Sequence, residues 1–255
     1  MQIHQIRNAT LIITYNKTRF LIDPWLMPKG YMAGFDVAVN ANVRQPRVDL
    51  PLPIADIVDV DAVILTHFHP DHWDDFAVEN IDKNLPFFVQ SEEDLNKIKS
   101  LGFKNVNIIS EDGTSFEGSM LYKTGGQHGK REIIKPLCEQ INMPYDAMGV
   151  VFKAKTEKTL YLTGDTIWCD EVIAAINKFT PDVIVVNACG ATLLNGERII
   201  MNDEDVKTIA AYAPSAIIVA SHMDTVSHLT VTRDDVKKLK LKNVVVPDDN
   251  EVLQY

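Results

Sequence analysis

The sequence predicts an α/β protein in which two β-sheets stack face to face with helices outside. Short strand-like runs dominate the start of each half of the chain, and each half then passes into helix–strand alternation. A single doubly wound sheet would alternate from its first strand onward. The 255 residues, 46% of them hydrophobic, are enough for one large domain with a real core, and the whole span 1–255 is taken as that domain.

Leu11–Tyr15 and Arg19–Ile22, separated by Asn16-Lys17-Thr18, read as a hairpin. From Pro24 to about Asp59 the chain is irregular and carries five of the twelve prolines, and a loop of that length is usually functional. Asp61–Thr66 is a buried strand by its continuous apolar run. Ser91 starts a helix with Asp94 at the capping-box position and Gly102 as its stop. Strands follow at Asn105–Ile109, Met120–Lys123, Met148–Lys153 and Thr159–Thr163. A helix spans Asp170–Lys178, a strand Val183–Val186, and a further helix begins near Asn202. Ala216–Ser221 is another buried strand, Thr232 caps a last helix, and Asn243–Val246 is the closing strand.

Composition narrows the function. Lys and Arg total 25 against 35 Asp and Glu, so the net charge is −10. That argues against nucleic acid or anionic lipid as a bulk partner, because both need a basic face. No run approaches the ~20 apolar residues of a membrane helix, so integral membrane association is not expected. The N-terminus has no basic region followed by a long apolar stretch, and the cysteines (Cys138, Cys169, Cys189) are odd in number and widely spaced. Both features point to a reducing cytoplasm. A homo-oligomer stays open.

The chemistry concentrates in Thr66-His67-Phe68-His69-Pro70-Asp71-His72, directly after a buried strand. His67 and His69 are two apart and share a side in extended backbone. Asp71 and His72 follow a proline, where the chain turns, and can face a second point close by. Imidazole and carboxylate suit Zn, Mn or Fe, and four such groups can fill parts of two adjacent metal positions.

This His67-x-His69-x-Asp71-His72 run resembles the signature of the metallo-β-lactamase fold, and the resemblance extends through most of the chain. It implies a four-layer αββα sandwich of two mixed sheets with outer helices. Leu21-Ile22-Asp23-Pro24 looks like that family's strand ending in a supporting aspartate. His128, in Thr124-Gly125-Gly126-Gln127-His128-Gly129, matches the third histidine of the first metal site. Asp165, in Gly164-Asp165-Thr166, matches the bridging carboxylate, with a helix-capping role as its alternative. His222 ends an apolar strand as His67 does and looks like the last ligand of the second site; His228, six residues further into a loop, is its competitor. The implied scheme puts one ion on His67, His69 and His128 and the other on Asp71, His72 and His222, with Asp165 between them. It is a binuclear metallohydrolase with a hydroxide nucleophile and Asp71 as the catalytic residue that orients it or handles its proton.

Within the family, an acidic chain of this length with no inserted second domain argues against the nuclease branches and leaves no room for a flavodoxin-like domain. The opening hairpin, the turn after Ile22, Val60–His67 and Met148–Phe152 look most like the small bacterial metal-dependent hydrolases. These include L-ascorbate-6-phosphate lactonases and are similar to N-acyl-phosphatidylethanolamine phospholipase D enzymes. The implied reaction is opening of a lactone or cleavage of a phosphate ester on a small, anionic metabolite. Substrate contacts are expected in two long loops, 24–60 and 129–147, with Trp25, Tyr31, Arg44 and Arg131 as candidates and Lys130, Lys135 and Tyr145 nearby. The alternatives are a non-catalytic metal-binding sensor or assembly protein, or a lipid phosphodiesterase. Cys189 reads as buried and inert.

Overall fold

The computed structural model describes residues 1–140 and 145–255. The first half runs β1 (Gln2–Arg7), β2 (Thr10–Tyr15), β3 (Thr18–Ile22), α1 (Ile54–Ile57), β4 (Ala62–Ile64), α2 (Asp75–Asn80), β5 (Pro86–Val89), α3 (Glu92–Ser100) and β6 (Asn105–Ile108). The second half runs β7 (Thr114–Phe116), β8 (Ser119–Thr124), α4 (Arg131–Gln140), β9 (Gly149–Lys153), β10 (Leu160–Leu162), α5 (Asp170–Phe179) and β11 (Val183–Asn187). It continues with α6 (Asp203–Tyr212), β12 (Ile217–Ser221), α7 (Arg233–Lys238), β13 (Val244–Val245) and β14 (Val252–Gln254).

Two seven-stranded sheets result, ordered β14-β1-β2-β3-β4-β5-β6 and β13-β12-β11-β10-β9-β8-β7. Each is mixed in the same way. Four strands pair antiparallel, from β14 to β3 and from β7 to β10. The rest pair parallel, from β3 to β6 and from β10 to β13. Strand alternation then sorts side chains into layers. Val183 and Val185 face the other sheet and pack with Phe20, Ile64, Phe152 and Leu162. Ile184 and Val186 face outward, against Val172 and Ile176 of α5 and Val206 and Ile209 of α6. On the other sheet, Leu21, Val63 and Phe87 face outward against Ile57, Ala77 and Ile98 of α1, α2 and α3. The layers are therefore helix, sheet, sheet, helix, the expected sandwich.

The hairpin between β2 and β3 closes with Asn16 at φ 48° and Lys17 at φ 69°, the left-handed pair of a two-residue turn matched to strand twist. Four strands and three helices were not expected: β1, β5, β7, β14, α1, α2 and α4. Polarity hides β1, whose Gln5 and Arg7 are fully buried because distant groups satisfy them. Arg7 donates to the carbonyls of Trp25, Met27 and Val48, and Gln5 accepts from Ser221. Helix α4 corrects the second expected loop and forms with Pro136 inside it; residues 141–144 of that loop lie outside the described residues. Among the described residues no helix is long and apolar enough to cross a membrane.

Candidate metal centre

The candidate residues gather at one edge of the sandwich, beyond the C-terminal ends of co-directional strands. Asp23 follows β3, His67 follows β4, Asp165 follows β10 and His222 follows β12. His128 follows β8, which runs the same way as β10 because both pair antiparallel with β9. The open edge beyond parallel strand ends is where such folds bind ligands, since loops there are free to converge.

Local backbone aims the donors. Asp23 sits at φ 44° and His222 at φ 61°, left-handed conformations a side chain adopts only when its surroundings hold it there. The amide of His222 is fixed by the carbonyl of Asn8 at 3.1 Å. After β4, the amides of His72 and Trp73 both return to the carbonyl of His69, so the chain turns once and brings Asp71 and His72 back beside His67. Gly164, at φ 67°, lets the turn before Asp165 pass the carbonyl of Met148, which a Cβ would meet at 2.4 Å.

All seven predicted ligands are buried and adjacent. Three groups place their donor atoms within 4.8 Å of one another: His67, His69 and His128; His67, His72 and Asp165; and Asp71, His72 and His222. One oxygen of Asp165, Oδ2, lies among four imidazoles, 3.1 Å from His72 Nε2, 3.7 Å from those of His128 and His222, and 3.9 Å from that of His67. Its other oxygen accepts from the Asn187 side chain at 2.6 Å. Asp165 is not the helix cap: α5 is capped at Cys169. On the far side, Asp71 Oδ2 is 3.3 Å from His222 Nε2, and His222 Nε2 is 3.2 Å from His72 Nε2. Nε2 atoms this close to one another suit a shared cation between them, and His67 Nε2 is buried without any hydrogen-bond partner. The donor set, five imidazoles and two carboxylates, is one that divalent transition ions take.

The opposite ring nitrogens of four of the five imidazoles are tied down, which fixes the orientation of those rings. His72 Nδ1 donates to Asp23 Oδ2 at 2.9 Å, and His128 Nδ1 to the carbonyl of Ile199 at 2.9 Å. His67 Nδ1 meets Thr66 Oγ1 at 3.0 Å, and His222 Nδ1 meets Cys189 Sγ at 3.6 Å.

Electrostatics follow from packing these charges together. Burial alone would raise Asp165, but His72 and His222 outweigh it and hold its carboxyl well below the usual range. Asp71 is lowered likewise, with His72 opposing the burial. Burial works to lower His72, yet Asp165, Asp23 and Asp71 push it up to about 10. His67 has burial and the neighbouring His72 acting together and drops well below the ordinary imidazole value.

A cavity of about 350 Å³ opens onto the centre, lined by His69, Asp71, His128 and Asp165 at its floor. Its wall is apolar, formed chiefly by Phe35, Val37, Ile134, Leu137, Leu193 and Ile199. The four expected substrate contacts stand elsewhere. Trp25 is fully buried in the core, under the Arg7 guanidinium. Tyr31 packs edge-on against Phe76 and is 59% exposed, and Arg44 is spent on the carbonyls of Gly30 and Tyr31. Arg131 bonds the carbonyl of Gly126 and pairs with Asp146 and Glu171, steadying the turn that carries His128. Among the described residues no Lys or Arg lines the cavity. Trp73 packs on Phe87 and Phe103, away from it.

Sequence reading missed Asn8 and Asn187. Asn8 donates to the carbonyl of Asp71 at 3.0 Å and lies 3.3 Å from His222 Nε2. Asn187 was legible in outline, a lone amide ending an apolar strand; Asn8 left no signal beyond a turn. Cys189 is buried, and burial raises its thiol, but it touches His222. His228, the competitor of His222 for the last ligand position, lines the cavity, with its imidazole lowered to about 4 by burial.

Comparison with known proteins agrees with this fold. The profile of the Beta-lactamase superfamily domain matches residues 18–223. The UPF0173 protein YddR of Bacillus subtilis (strain 168) is 42% identical over 257 residues, covering 98% of each chain. The crystal structure of an isothiocyanate hydrolase from Delia radicum gut bacteria superposes with a TM-score of 0.94 at 37% identity, covering 100% of this chain and 99% of that one. A possible metal-dependent hydrolase from Veillonella parvula DSM 2008 superposes with a TM-score of 0.95 at 43% identity, covering 99% and 98%.

Proposed function

The chain belongs to the β-lactamase superfamily and to its UPF0173 group of metal-dependent hydrolases, and from that premise we propose that it hydrolyses small, uncharged, apolar electrophiles, with isothiocyanates first among them. The observation that carries this is the apolar wall of the cavity above the metal centre, without an ammonium or guanidinium among the described residues. A phosphorylated metabolite needs such a partner for its charge. The isothiocyanate hydrolase at 37% identity supports the substrate class.

His67, His69 and His128 would hold one divalent ion and Asp71, His72 and His222 the other, with Asp165 Oδ2 between; Zn and Mn suit the set best, and Fe also fits. When bound, the ions supply Lewis acidity, lowering the pKa of a water toward neutrality and offsetting developing negative charge. The protein does the rest. The apolar wall seats the organic tail and excludes bulk water, leaving the reactive carbon over the floor of the cavity. Water oxygen adds to the central carbon of R–N=C=S, and a carboxylate oxygen of Asp71 takes one of its protons and returns it to the nitrogen, giving R–NH–C(=S)–OH; the same carboxylate then carries the remaining O–H proton to the nitrogen as the C–N bond breaks. Cleavage of the C–N bond then gives R–NH2 and COS, so one isothiocyanate and one water balance one amine and one carbonyl sulfide. Asp23 and Asn187 act by position, holding His72 and Asp165. One hydrolase domain spanning 1–255 carries the reaction, and the free cysteines support a cytoplasmic setting.

The test is metal analysis followed by a substrate panel: benzyl isothiocyanate, a small uncharged lactone, a phosphorylated sugar lactone and a generic phosphodiester. The expected result is close to two transition ions per chain. Turnover of the uncharged apolar substrates should exceed that of the phosphorylated lactone by about a hundredfold in kcat/KM, roughly 2.7 kcal/mol of discrimination. Preference for the phosphorylated lactone or the phosphodiester overturns the substrate reading. Two ions with no turnover of any member favours the sensor alternative.

A further inference from the structure

Four of the polar groups facing the cavity are candidate ligands; a fifth, His228, is not. His228 is 4% exposed, lines the cavity, and has no hydrogen bond to its ring among the described residues. Its Nδ1 is buried without a partner, and Nε2, which is not closed off in this way, is the ring nitrogen left to meet a ligand in the cavity. Gln140 and Asn195 also line the cavity but are exposed, so water satisfies them.

An unpaired buried imidazole is costly and persists where something else completes it. Here the surroundings hold the ring in place rather than burying it by accident. Phe35 packs edge-on against it with ring centroids 5.1 Å apart. The backbone is pinned on both sides: the carbonyl of His228 accepts from Thr192 N at 3.2 Å, and Ser227 N donates to the buried Gln45 side chain at 2.9 Å. His222, not His228, lies against Asp71 and His72.

We infer that His228 is a substrate-contacting residue, hydrogen-bonding the polar end of an otherwise apolar ligand whose tail lies on the cavity wall. In the proposed reaction it faces the heteroatom on which negative charge develops as water adds to carbon. This deepens the reading of the cavity as a site for neutral, apolar substrates and rests on it. A single placed donor in an apolar wall gives orientation and selectivity, because a ligand lacking the matching heteroatom leaves the imidazole unpaired.

Benzylurea, neutral and unreactive with an apolar tail and a polar head, separates this contact from turnover. Its Kd is measured by calorimetry on metal-loaded wild type, His228→Phe, His228→Leu and His228→Gln, with metal content and thermal melts of each. The expected result is unchanged metal content, Kd weakened about tenfold or more in the Phe and Leu variants, and partial recovery in the Gln variant, whose amide restores a donor. Benzyl isothiocyanate kinetics should move in parallel, with Phe and Leu raising KM and lowering kcat. Unchanged Kd in whichever of these two variants folds overturns the inference, as does absence of benzylurea binding to wild type. Loss of an ion from a folded His228 variant overturns it too, because His228 would then be a ligand. Wild type that binds benzylurea through His228 yet leaves benzyl isothiocyanate intact refutes the substrate reading and leaves the contact standing.

Discussion

The carboxylate of Asp23 accepts from the amide and hydroxyl of Thr66 at 2.7 and 2.8 Å and from His72 Nδ1 at 2.9 Å. It thus ties the end of β3 to the strand carrying the histidine motif and turns His72 Nε2 toward Asp165. Removing such a partner typically costs 10–100-fold in metal affinity or activity without removing a ligand. Asp23→Asn is expected to fold, because the amide oxygen still accepts one of these bonds, and to lose about 10–100-fold in metal affinity. Competition against a chelating indicator measures it, and an affinity equal to wild type would remove Asp23 from the orienting role. Most of this scale was readable. The density of His and Asp after an apolar strand marked the motif, and the family resemblance marked Asp23 at the end of β3. Asn8 was not, because a turn asparagine becomes a partner of His222 only when the ends of β1 and β12, from different sheets, meet.

Helices show how local chemistry decides an element whose packing is modest. Asp235 is the third residue of α7, and its carboxylate accepts from the amide and hydroxyl of the capping Thr232 at 3.1 and 2.6 Å, with Lys238 at 3.1 Å. These bonds, the Thr232 hydroxyl first, lower its pKa from 3.8 to about 2. A carboxylate depressed in the folded state contributes stability that is fully present above its unfolded value and is lost as pH falls through its folded one. The difference in urea midpoint between wild type and Asp235→Asn is therefore expected to be constant above about pH 4 and to close toward pH 2. A gap independent of pH across that window would mean that folding does not depress the Asp235 carboxyl and that its charge adds no stability. Caps of this kind are visible in sequence, and α3, α6 and α7 begin where Ser91, Asn202 and Thr232 stand. Other elements escaped: α4 contains Pro136, and β7 and β14 are three residues long, too short for alternation to register.

The whole molecule is held at its functional edge by polar groups from both sheets, and ions bound there would cross-link them. A ligand binding only the folded state at a hundredfold excess over its Kd adds about 2.7 kcal/mol, a shift of about 5–10 °C for a chain of this size. Chelation should lower Tm by that amount, and adding back Zn or Mn should restore it; a Tm indifferent to chelator would argue against ions at this centre. The amino-acid sequence by itself determined the α/β class, the ligand motif and the sites of most strands, because these rest on periodicity, capping and residue chemistry within a few positions, while the layer order was implied by the family resemblance. Only the tertiary structure decided which histidine stands beside Asp71 and His72, that Trp25 and Arg7 are buried together in the core, and that the cavity wall is apolar. Those depend on which distant segments meet. Phe35, Ile134 and Leu193 form one surface only after the 24–60 loop, α4 and the segment beyond β11 converge over the strand ends.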